Sequence, residues 1–287
     1  MDKPRKALES SSCTTPPPSI YNKNYYLNVC LGSEEFKKSK GQDVHPRIKS
    51  LLQNIHLDKT MHVLDIGCGR GDISIYLARF VKRVVGIDYS SDAIKIAKKL
   101  KENSVRTKRK LQFIQCDATS LPFADSSFDV IVAIDILEHL TKDDVVKMMR
   151  EIKRVLKSNG QLFVHTGTNR ILYNTTYPFY IYPINLLLTS VDKKYKNITY
   201  KSLPKDPRTK DEYLQHVNEP TYFYLKNLFR KFGFSGNFIT EVGYIKDGTS
   251  MRTKLYNFIV TFYPLSKYFP LNLFFGWNFI CLLRNTK

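Results

Sequence analysis

The stretch from Met61 to Ser90 decides the fold and reads MHVLDIGCGRGDISIYLARFVKRVVGIDYS. A short apolar run enters the turn Gly67-Cys68-Gly69-Arg70-Gly71, and a longer apolar run follows it. A third run, Val84-Val85-Gly86-Ile87, ends on Asp88. Strand, glycine turn, helix and strand in this order predict a βαβ unit of the kind that binds nucleoside ligands.

The same alternation continues along the chain. Strands are predicted at 61–66, 83–88, 111–116, 128–134, 161–165, 237–242 and 278–283. Helices are predicted at 72–80, at 91–101 with Ser90 or Ser91 as N-cap, and at 141–157 with Thr141 as cap and Gly160 after its end. A further helix starts at residues 216–221, with Pro220 in its first turn, and ends at Gly233. This order predicts a parallel sheet with helices on both faces.

Composition divides the chain into four parts. Residues 1–19 are polar and rich in Pro and Ser, which predicts a disordered tail. Residues 20–57 have helical spacing and are expected to cover the mouth of the core. The core is predicted at 58–168 and 216–287, and the aromatic segment 169–215 is predicted to form an inserted cap or lid. The apolar stretch 255–283 is interrupted too often to span a membrane, so we expect it to pack against the sheet.

The chain is strongly basic. It has 45 Lys+Arg against 26 Asp+Glu, a net charge of +19 and a pI of about 9.6. Such a charge attracts nucleic acid and anionic lipid, but the lysines are scattered, which favours a solvated surface over a polyanion site. Five cysteines form no CxxC pair, and no apolar leader opens the sequence. We therefore expect a reduced, cytoplasmic protein without structural zinc.

The details of the turn favour a particular nucleoside. The spacing Gly-x-Gly-x-Gly differs from the Gly-x-Gly-x-x-Gly of dinucleotide sites, and Asp88 follows where a carboxylate accepts ribose hydroxyls. Asp65 would repel a phosphate but suits an ammonium group. Asp117, after the third strand, can accept from an adenine amino group. S-adenosylmethionine carries both an ammonium and an adenine, which favours it over a nicotinamide cofactor.

Four segments together resemble a known family. VLDIGCGRG, VVGIDYS, CDATSLPF and FDVIVAIDILEHL resemble the successive motifs of class I S-adenosylmethionine-dependent methyltransferases, in the small-molecule, quinone-biosynthesis-like branch. The resemblance covers residues 60–167. It implies a Rossmann-like, seven-stranded, mostly parallel sheet with helices on both faces and an antiparallel last strand. It also implies S-adenosylmethionine as the cofactor.

The resemblance also implies roles for individual residues. Asp65 would face the methionine end, Asp88 with Tyr89 the ribose, and Asp117 with Ala118 the adenine. Asp135 would lie beside the methionine and the transferred methyl group. The cofactor turn would consist of Gly67, Cys68, Gly69 and Gly71.

Methyl transfer to a poorly ionised nucleophile needs a proton acceptor. His139, with Glu138 before it, suits the deprotonation of a hydroxyl, although His139 can also serve only to anchor the following helix. His216 is a second catalytic candidate, and Tyr25 and Tyr26 are substrate-side candidates. The order Asp135, Glu138, His139 also resembles metal-dependent branches of the family. A fourth ligand, His165 or His216, is not singled out, so no metal is predicted.

The motifs restrict the acceptor. The fourth motif lacks the prolines of amino-methylating nucleic-acid enzymes, and Cys116 lies in the third strand rather than where a pyrimidine-attacking cysteine belongs. We therefore predict O- or C-methylation of a small molecule, lipidic or glycosylated, with no specific nucleic-acid partner. One alternative is an enzyme at the membrane surface acting on a prenylated or acyl substrate. Another is a catalytically weak methyltransferase fold that binds polyanions or RNA.

Overall fold

The computed structural model describes residues 14–194, 203–242 and 251–286. Its centre is a sheet of seven strands in the order β3-β2-β1-β4-β5-β7-β6. The strands are β1 (His62–Ile66), β2 (Arg83–Asp88), β3 (Leu111–Gln115), β4 (Phe128–Ile134), β5 (Leu156–Thr166), β6 (Phe234–Glu241) and β7 (Asn278–Asn285). β1 to β5 are parallel, whereas β7 is antiparallel to both β5 and β6. The predicted fold class is confirmed.

Alternate side chains of the central strands pack into two separate hydrophobic cores, one on each face of the sheet. In β1, Leu64 packs on one face of the sheet and Val63 on the other, and neither is exposed to solvent. The first face is covered by α5 (Lys142–Val155) and α8 (Tyr222–Lys231). The second is covered by α2 (Pro46–Leu52), α3 (Asp72–Leu77) and α4 (Ser91–Glu102). Burial on both faces explains the nearly continuous apolar runs of these strands.

Helix ends follow the capping chemistry at most positions. Ser90 caps α4 by accepting from the amide of Ala93, and Thr141 caps α5. Two predicted boundaries are wrong. The helix predicted from residues 216–221 begins only after Thr221, its N-cap, so Pro220 precedes it. β5 begins directly after α5 and contains Gly160, where the sequence predicted a helix end.

The N-terminal segment lies across the carboxyl ends of the strands. It consists of a short helical turn at Tyr25–Val29, α1 (Ser33–Ser39) and α2. Thr15 bonds to the Asp144 side chain at 2.6 Å, and the carbonyl of Pro16 accepts from Tyr89. The prediction of a disordered tail is therefore wrong for residues 14–19; residues 1–13 lie outside the described residues.

A small second layer of helices forms a cap. It is built from a π-helical turn at Leu172–Ile181, α6 (Tyr182–Lys194), α9 (Met251–Thr261) and α10 (Leu271–Phe275). Its own core joins the two segments, with Tyr177 packed near Tyr256 and Phe275. Residues 251–275 thus belong to the cap, and only β7 of the apolar 255–283 stretch joins the sheet. That stretch was predicted to pack against the sheet as a whole, and the prediction is wrong for this part.

Between the cap segments lies α7 (Lys210–Gln215), whose N-terminus is closed by a capping box of Thr209 and Glu212. Among the described helices, none combines the length and the apolar character that crossing a bilayer requires.

Candidate active site

A cavity of about 750 Å³ lies between the carboxyl ends of the parallel strands and the N-terminal segment. In open parallel sheets this edge is where ligands bind, because the loops there can diverge without disturbing the sheet. The wall of the cavity includes Gly67 and Asp88 and also Glu138, His139 and His216. The part lined by Gly67 and Asp88 is called the cofactor end below, and the part lined by the other three residues the acceptor end.

The glycine turn follows β1. Gly67 (φ +73°) and Gly69 (φ +51°) adopt left-handed backbone conformations and line the cavity, as does Cys68 between them. Gly71 (φ +85°) does not line it. A Cβ at Gly71 would lie 2.8 Å from the ring of Phe113, so this glycine permits close packing of α3 instead.

Asp88 ends β2 and is held against the turn. Its carboxylate accepts from the amides of Gly69 (3.0 Å) and Ser90 (2.8 Å). Burial raises the pKa of Asp88 to about 6, although these hydrogen bonds favour the charged form. A fixed, cavity-lining carboxylate next to a glycine turn can accept the hydroxyls of a ribose.

Tyr26 also contacts this carboxylate. Its hydroxyl lies 3.4 Å from both carboxylate oxygens of Asp88, and its ring covers Gly69. The structure therefore places Tyr26 at the cofactor end, not at the substrate side where the sequence predicted it. Tyr25 lies against Tyr21, with 5.2 Å between ring centroids, and lines the cavity.

Asp65 was expected to face the methionine end of the cofactor, but its side chain points away from the cavity. Its side chain is 1% exposed, does not appear in the cavity wall and accepts from Ser74 Oγ at 2.5 Å. Burial raises the pKa of Asp65 to about 7. Its visible role is to tie β1 to α3 behind the glycine turn.

The predicted adenine and ribose residues line the cavity. Asp117 accepts the amide of Thr119 in a turn after β3, and Ala118 is buried beside it. Tyr89 follows Asp88 and donates to the carbonyl of Pro16, which draws the N-terminal segment over this end.

Asp135 lies in a hydrogen-bonded chain at the ends of β4, β5 and β6. It has a left-handed backbone (φ +52°), and its carboxylate is 2.5 Å from His165 Nδ1. Burial alone would raise the pKa of Asp135, but His165 holds it below its usual range. His165 Nε2 lies 2.9 Å from Arg47, which also bonds Glu241 at 3.0 Å. Burial opposes the charged imidazolium, but the carboxylates of Asp135 and Glu241 raise the pKa of His165 to about 9.

Glu138 and His139 form a 3₁₀ turn after β4. Glu138 is buried, and burial with the nearby charge of Asp135 raises its pKa to about 7. Burial lowers the pKa of His139. The ring of His216, which follows α7, is centred 5.0 Å from that of His139, and burial lowers the pKa of His216 to about 3. The structure thus brings together the three predicted catalytic residues.

Several cavity residues were missed by sequence reasoning. Tyr21 bonds His139 Nδ1 at 2.9 Å, Arg47 reaches the cavity from α2, and Thr168 follows β5 with a left-handed backbone. Tyr21 and Arg47 come from the N-terminal segment. The sequence shows that this segment is rich in aromatic residues, but the contacts of its side chains depend on how the segment crosses the sheet. Thr168 could have been found, since it follows a predicted strand end.

The residues present fit S-adenosylmethionine. Gly67 and Gly69 have positive φ, and a Cβ there would lie 3.1 Å from Ile136 or 3.2 Å from Tyr26, so a side chain is disfavoured at both positions. Asp88 offers two acceptor oxygens beside this turn. Residues 64–164, which contain the glycine turn and Asp88, match the methyltransferase domain family. The chain carries a class I S-adenosylmethionine-dependent methyltransferase domain. Its cofactor is S-adenosylmethionine.

The methyltransferase domain has relatives of several activities. The chain is 33% identical over 181 residues to a demethylmenaquinone methyltransferase of Lactococcus lactis, covering 61% of this chain and 66% of the relative. It is 36% identical over 142 residues to a mitochondrial ubiquinone biosynthesis O-methyltransferase of Candida albicans, covering 49% and 41%. A sterol 4-C-methyltransferase of Caenorhabditis elegans is 33% identical over 132 residues, covering 45% and 39%. The chain spans from 39% to 66% of the length of these relatives.

Solved structures share the fold across nearly the whole chain. The [4+2]-cyclase SpnF has a TM-score of 0.55 and 18% identity, covering 96% of this chain and 99% of that one. A methyltransferase of Methanosarcina mazei has a TM-score of 0.52 and 21% identity, covering 85% and 98%. At such identities the likeness establishes the fold and leaves the reaction to be argued from the site.

Proposed function

We propose that the protein transfers a methyl group from S-adenosylmethionine to a hydroxyl oxygen of a small-molecule acceptor. One observation supports this proposal above the others. A single cavity joins the glycine turn and Asp88 at one end to Glu138, His139 and His216 at the other. A cofactor at the first end and a hydroxyl at the second would be enclosed together, which is how positioning accelerates a displacement.

When bound, S-adenosylmethionine supplies a methyl group that its sulfonium activates toward nucleophiles. We infer that His139 would contact the acceptor hydroxyl and orient it. His139 Nδ1 faces the carbonyl oxygen of Gln215 at 3.3 Å, and a carbonyl only accepts. The tautomer with the proton on Nδ1 satisfies this contact and leaves Nε2 with a lone pair that can engage a hydroxyl.

Two buried polar atoms support a hydroxyl-bearing acceptor. Thr168 Oγ1 and His216 Nδ1 have no hydrogen-bond partner within the described part of the chain, and both residues line the cavity. An unpaired buried polar atom costs about 1–3 kcal/mol, which a bound hydroxyl would recover. The aromatic rings of Tyr25 and Tyr173 and the side chains of Val29 and Leu31 add apolar walls, which suit a lipidic or aromatic acceptor body.

The proposal is tested by incubating the protein with methyl-labelled S-adenosylmethionine and a fractionated cell extract, then identifying the labelled product by mass spectrometry. We expect label in a small-molecule fraction with the wild type and none with Asp88→Ala. Label in protein or nucleic acid, or no transfer from an enzyme that binds S-adenosylhomocysteine, would contradict it.

The cap favours a membrane-surface version of this function. Large apolar side chains are exposed on its helices and loops: Phe179 (80%), Leu187 (61%), Met251 (78%), Leu255 (57%), Tyr268 (70%) and Phe269 (72%). Arg252 and Lys254 are exposed on α9, in a chain whose net charge is +19. Apolar side chains with basic neighbours suit an anionic lipid surface, so we infer a cytoplasmic enzyme that collects a lipidic acceptor there.

A further inference from the structure

One residue of the glycine turn, Arg70, has a buried charged side chain. It lies between Gly69 and Gly71, and it is only 4% exposed. A charged group is stable out of water only when an ion pair or hydrogen bonds compensate for its lost hydration. The partners of this guanidinium therefore indicate what Arg70 does.

The guanidinium of Arg70 holds the N-terminal segment. Nη1 donates to the carbonyl of Tyr26 at 2.9 Å, and Nη2 donates to the carbonyl of Leu31 at 2.8 Å. Nη2 also lies 3.1 Å from the carboxylate of Asp72, and the guanidinium lies over the ring of Phe36, 4.8 Å from its centroid. Tyr26 is near the start of the short helical turn of this segment and Leu31 follows its end. One side chain thus fixes both sides of that turn.

The helical turn that Arg70 holds covers the cofactor end of the cavity. A Cβ at Gly69 would lie 3.2 Å from the ring of Tyr26, and the Tyr26 hydroxyl lies 3.4 Å from both carboxylate oxygens of Asp88. A ribose bound to Asp88 would therefore lie against Tyr26. We expect the helical turn to move aside when the cofactor enters or leaves.

The other hydrogen bonds that hold this segment near the cofactor end are neutral. Tyr89 and Ser90 follow β2 and donate through their hydroxyls to the carbonyls of Pro16 at 3.0 Å and Tyr21 at 2.6 Å. Hydrogen bonds in which one partner is charged are roughly twice as strong as neutral ones. Arg70 forms two of them with the segment, so it contributes more to keeping the segment in place than either neutral bond does.

We propose that Arg70 is a positioning residue that acts through the N-terminal segment and determines how long the cofactor stays bound. The backbone of the glycine turn faces the cofactor, while the Arg70 side chain keeps Tyr26 over it. Without the guanidinium, both carbonyls would bond to water and the segment would open more often. The cofactor would then dissociate faster, and a looser segment would not obstruct its entry.

The test measures the rates at which S-adenosylhomocysteine binds to the full chain and dissociates from it, by surface plasmon resonance. We expect Arg70→Met to speed dissociation by at least about tenfold, since two charge-assisted hydrogen bonds are lost, and not to slow association. Arg70→Lys should give an intermediate rate, because an ammonium cannot reproduce the guanidinium fork. The control is Arg79→Met, which should exchange S-adenosylhomocysteine at wild-type rates. Arg79 is exposed and also donates to a carbonyl of the segment, that of Gln42, but lies outside the cavity wall.

A double-mutant comparison separates action through the segment from damage to the glycine turn. In a Tyr26→Ala background the covering ring is already missing, so Arg70→Met should speed dissociation by less than about threefold. The full effect in that background would place the action of Arg70 within the glycine turn and overturn the proposal. An unchanged dissociation rate in Arg70→Met would overturn it too, whether or not association slows.

Thermal unfolding shows whether each variant is folded. If Arg70→Met does not fold, Arg70→Lys supplies the comparison, and a wild-type dissociation rate in that variant overturns the proposal. These rates involve no acceptor, so they test the role of Arg70 whether or not the protein methylates a hydroxyl.

Discussion

Two carboxylates that look equivalent in the sequence have different environments in the structure. Asp65 and Asp88 each lie at the end region of a parallel strand beside the glycine turn. Asp88 lines the cavity, whereas Asp65 points to Ser74 in α3. A strand presents successive side chains to opposite faces, and the twist of the loop after it decides which carboxylate meets a ligand. Only Asp88 is therefore expected to touch the cofactor.

Substituting these carboxylates should separate their roles. We expect Asp88→Ala to weaken S-adenosylhomocysteine binding by at least about 100-fold, since two hydrogen bonds to a charged group are lost. Asp65→Ala should change the affinity by no more than about twofold and lower the thermal midpoint instead, because the buried Ser74 hydroxyl loses its acceptor. Calorimetric titration checks both. Comparable losses of affinity in the two variants would place Asp65 in the site after all.

The raised pKa of Asp88 predicts a pH dependence. The carboxylate must be ionised to accept ribose hydroxyls, and its pKa in the unliganded protein is about 6. S-adenosylhomocysteine affinity should be constant above pH 7 and fall about tenfold between pH 5.5 and 4.5, as the proton competes with the ligand. Titrations across this range should show no such fall in Asp88→Asn, which binds weakly at every pH. A flat profile in the wild type would argue against the assigned role.

At the scale of elements, one arginine connects the cap to the core. Arg208 bonds Glu219 through two nitrogens at 2.6 and 2.7 Å and Asn174 at 2.6 Å, and it lies over the ring of Tyr173. Its side chain is 9% exposed. Glu219 precedes α8, while Tyr173 and Asn174 lie in the π-helical turn of the cap, so this one guanidinium fixes how the two elements meet.

Removing this connection should destabilise the protein. We expect Arg208→Ala to lower the free energy of unfolding by about 2–3 kcal/mol, because Glu219, only 15% exposed, is left without its partner. Arg208→Lys should recover less than half of the loss, since a lysine cannot form the two parallel bonds. Chemical denaturation measures both, with the exposed Lys95→Ala as control. An Arg208→Ala protein as stable as the wild type would show that the cap is held by its apolar contacts alone.

At the scale of the whole molecule, charge and exposed apolar surface act together. The +19 charge is distributed over the chain, and many of the exposed large apolar side chains lie on the cap. Electrostatic attraction brings such a protein to an anionic surface, and apolar insertion gives it a preferred orientation.

This arrangement predicts vesicle binding through the cap. Phe179→Glu combined with Phe269→Glu should weaken binding to vesicles containing anionic lipid by about tenfold or more, because two aromatic rings are replaced by repelled charges. Val105 is equally exposed (81%) but lies far from the cap in sequence, between α4 and β3, so Val105→Glu is the control. Flotation of each protein with vesicles provides the measurement. Equal flotation of all three proteins, or no flotation of the wild type, would refute the membrane-surface version.

The sheet and the cofactor turn could be predicted from the amino-acid sequence alone. Strand and helix periods, capping residues and the Gly-x-Gly-x-Gly spacing are local signals, because backbone geometry repeats over a few residues. They placed Gly67, Asp88 and Glu138 correctly at the carboxyl edge of the sheet. The position of His139 at the same edge could also be predicted, because it lies in the motif FDVIVAIDILEHL after the fourth strand.

The contacts that these residues make could not be predicted from the sequence, because they depend on how distant segments pack together. The meeting of His139 with His216, of Tyr26 with Asp88 and of residues 251–275 with the cap joins segments far apart in the sequence. Periodicity states which face of an element is buried but not which element covers it. Which element covers a given face depends on how the whole chain packs its apolar surface. In this protein that packing places the N-terminal segment over the glycine turn and brings His139 and His216 together in the same cavity.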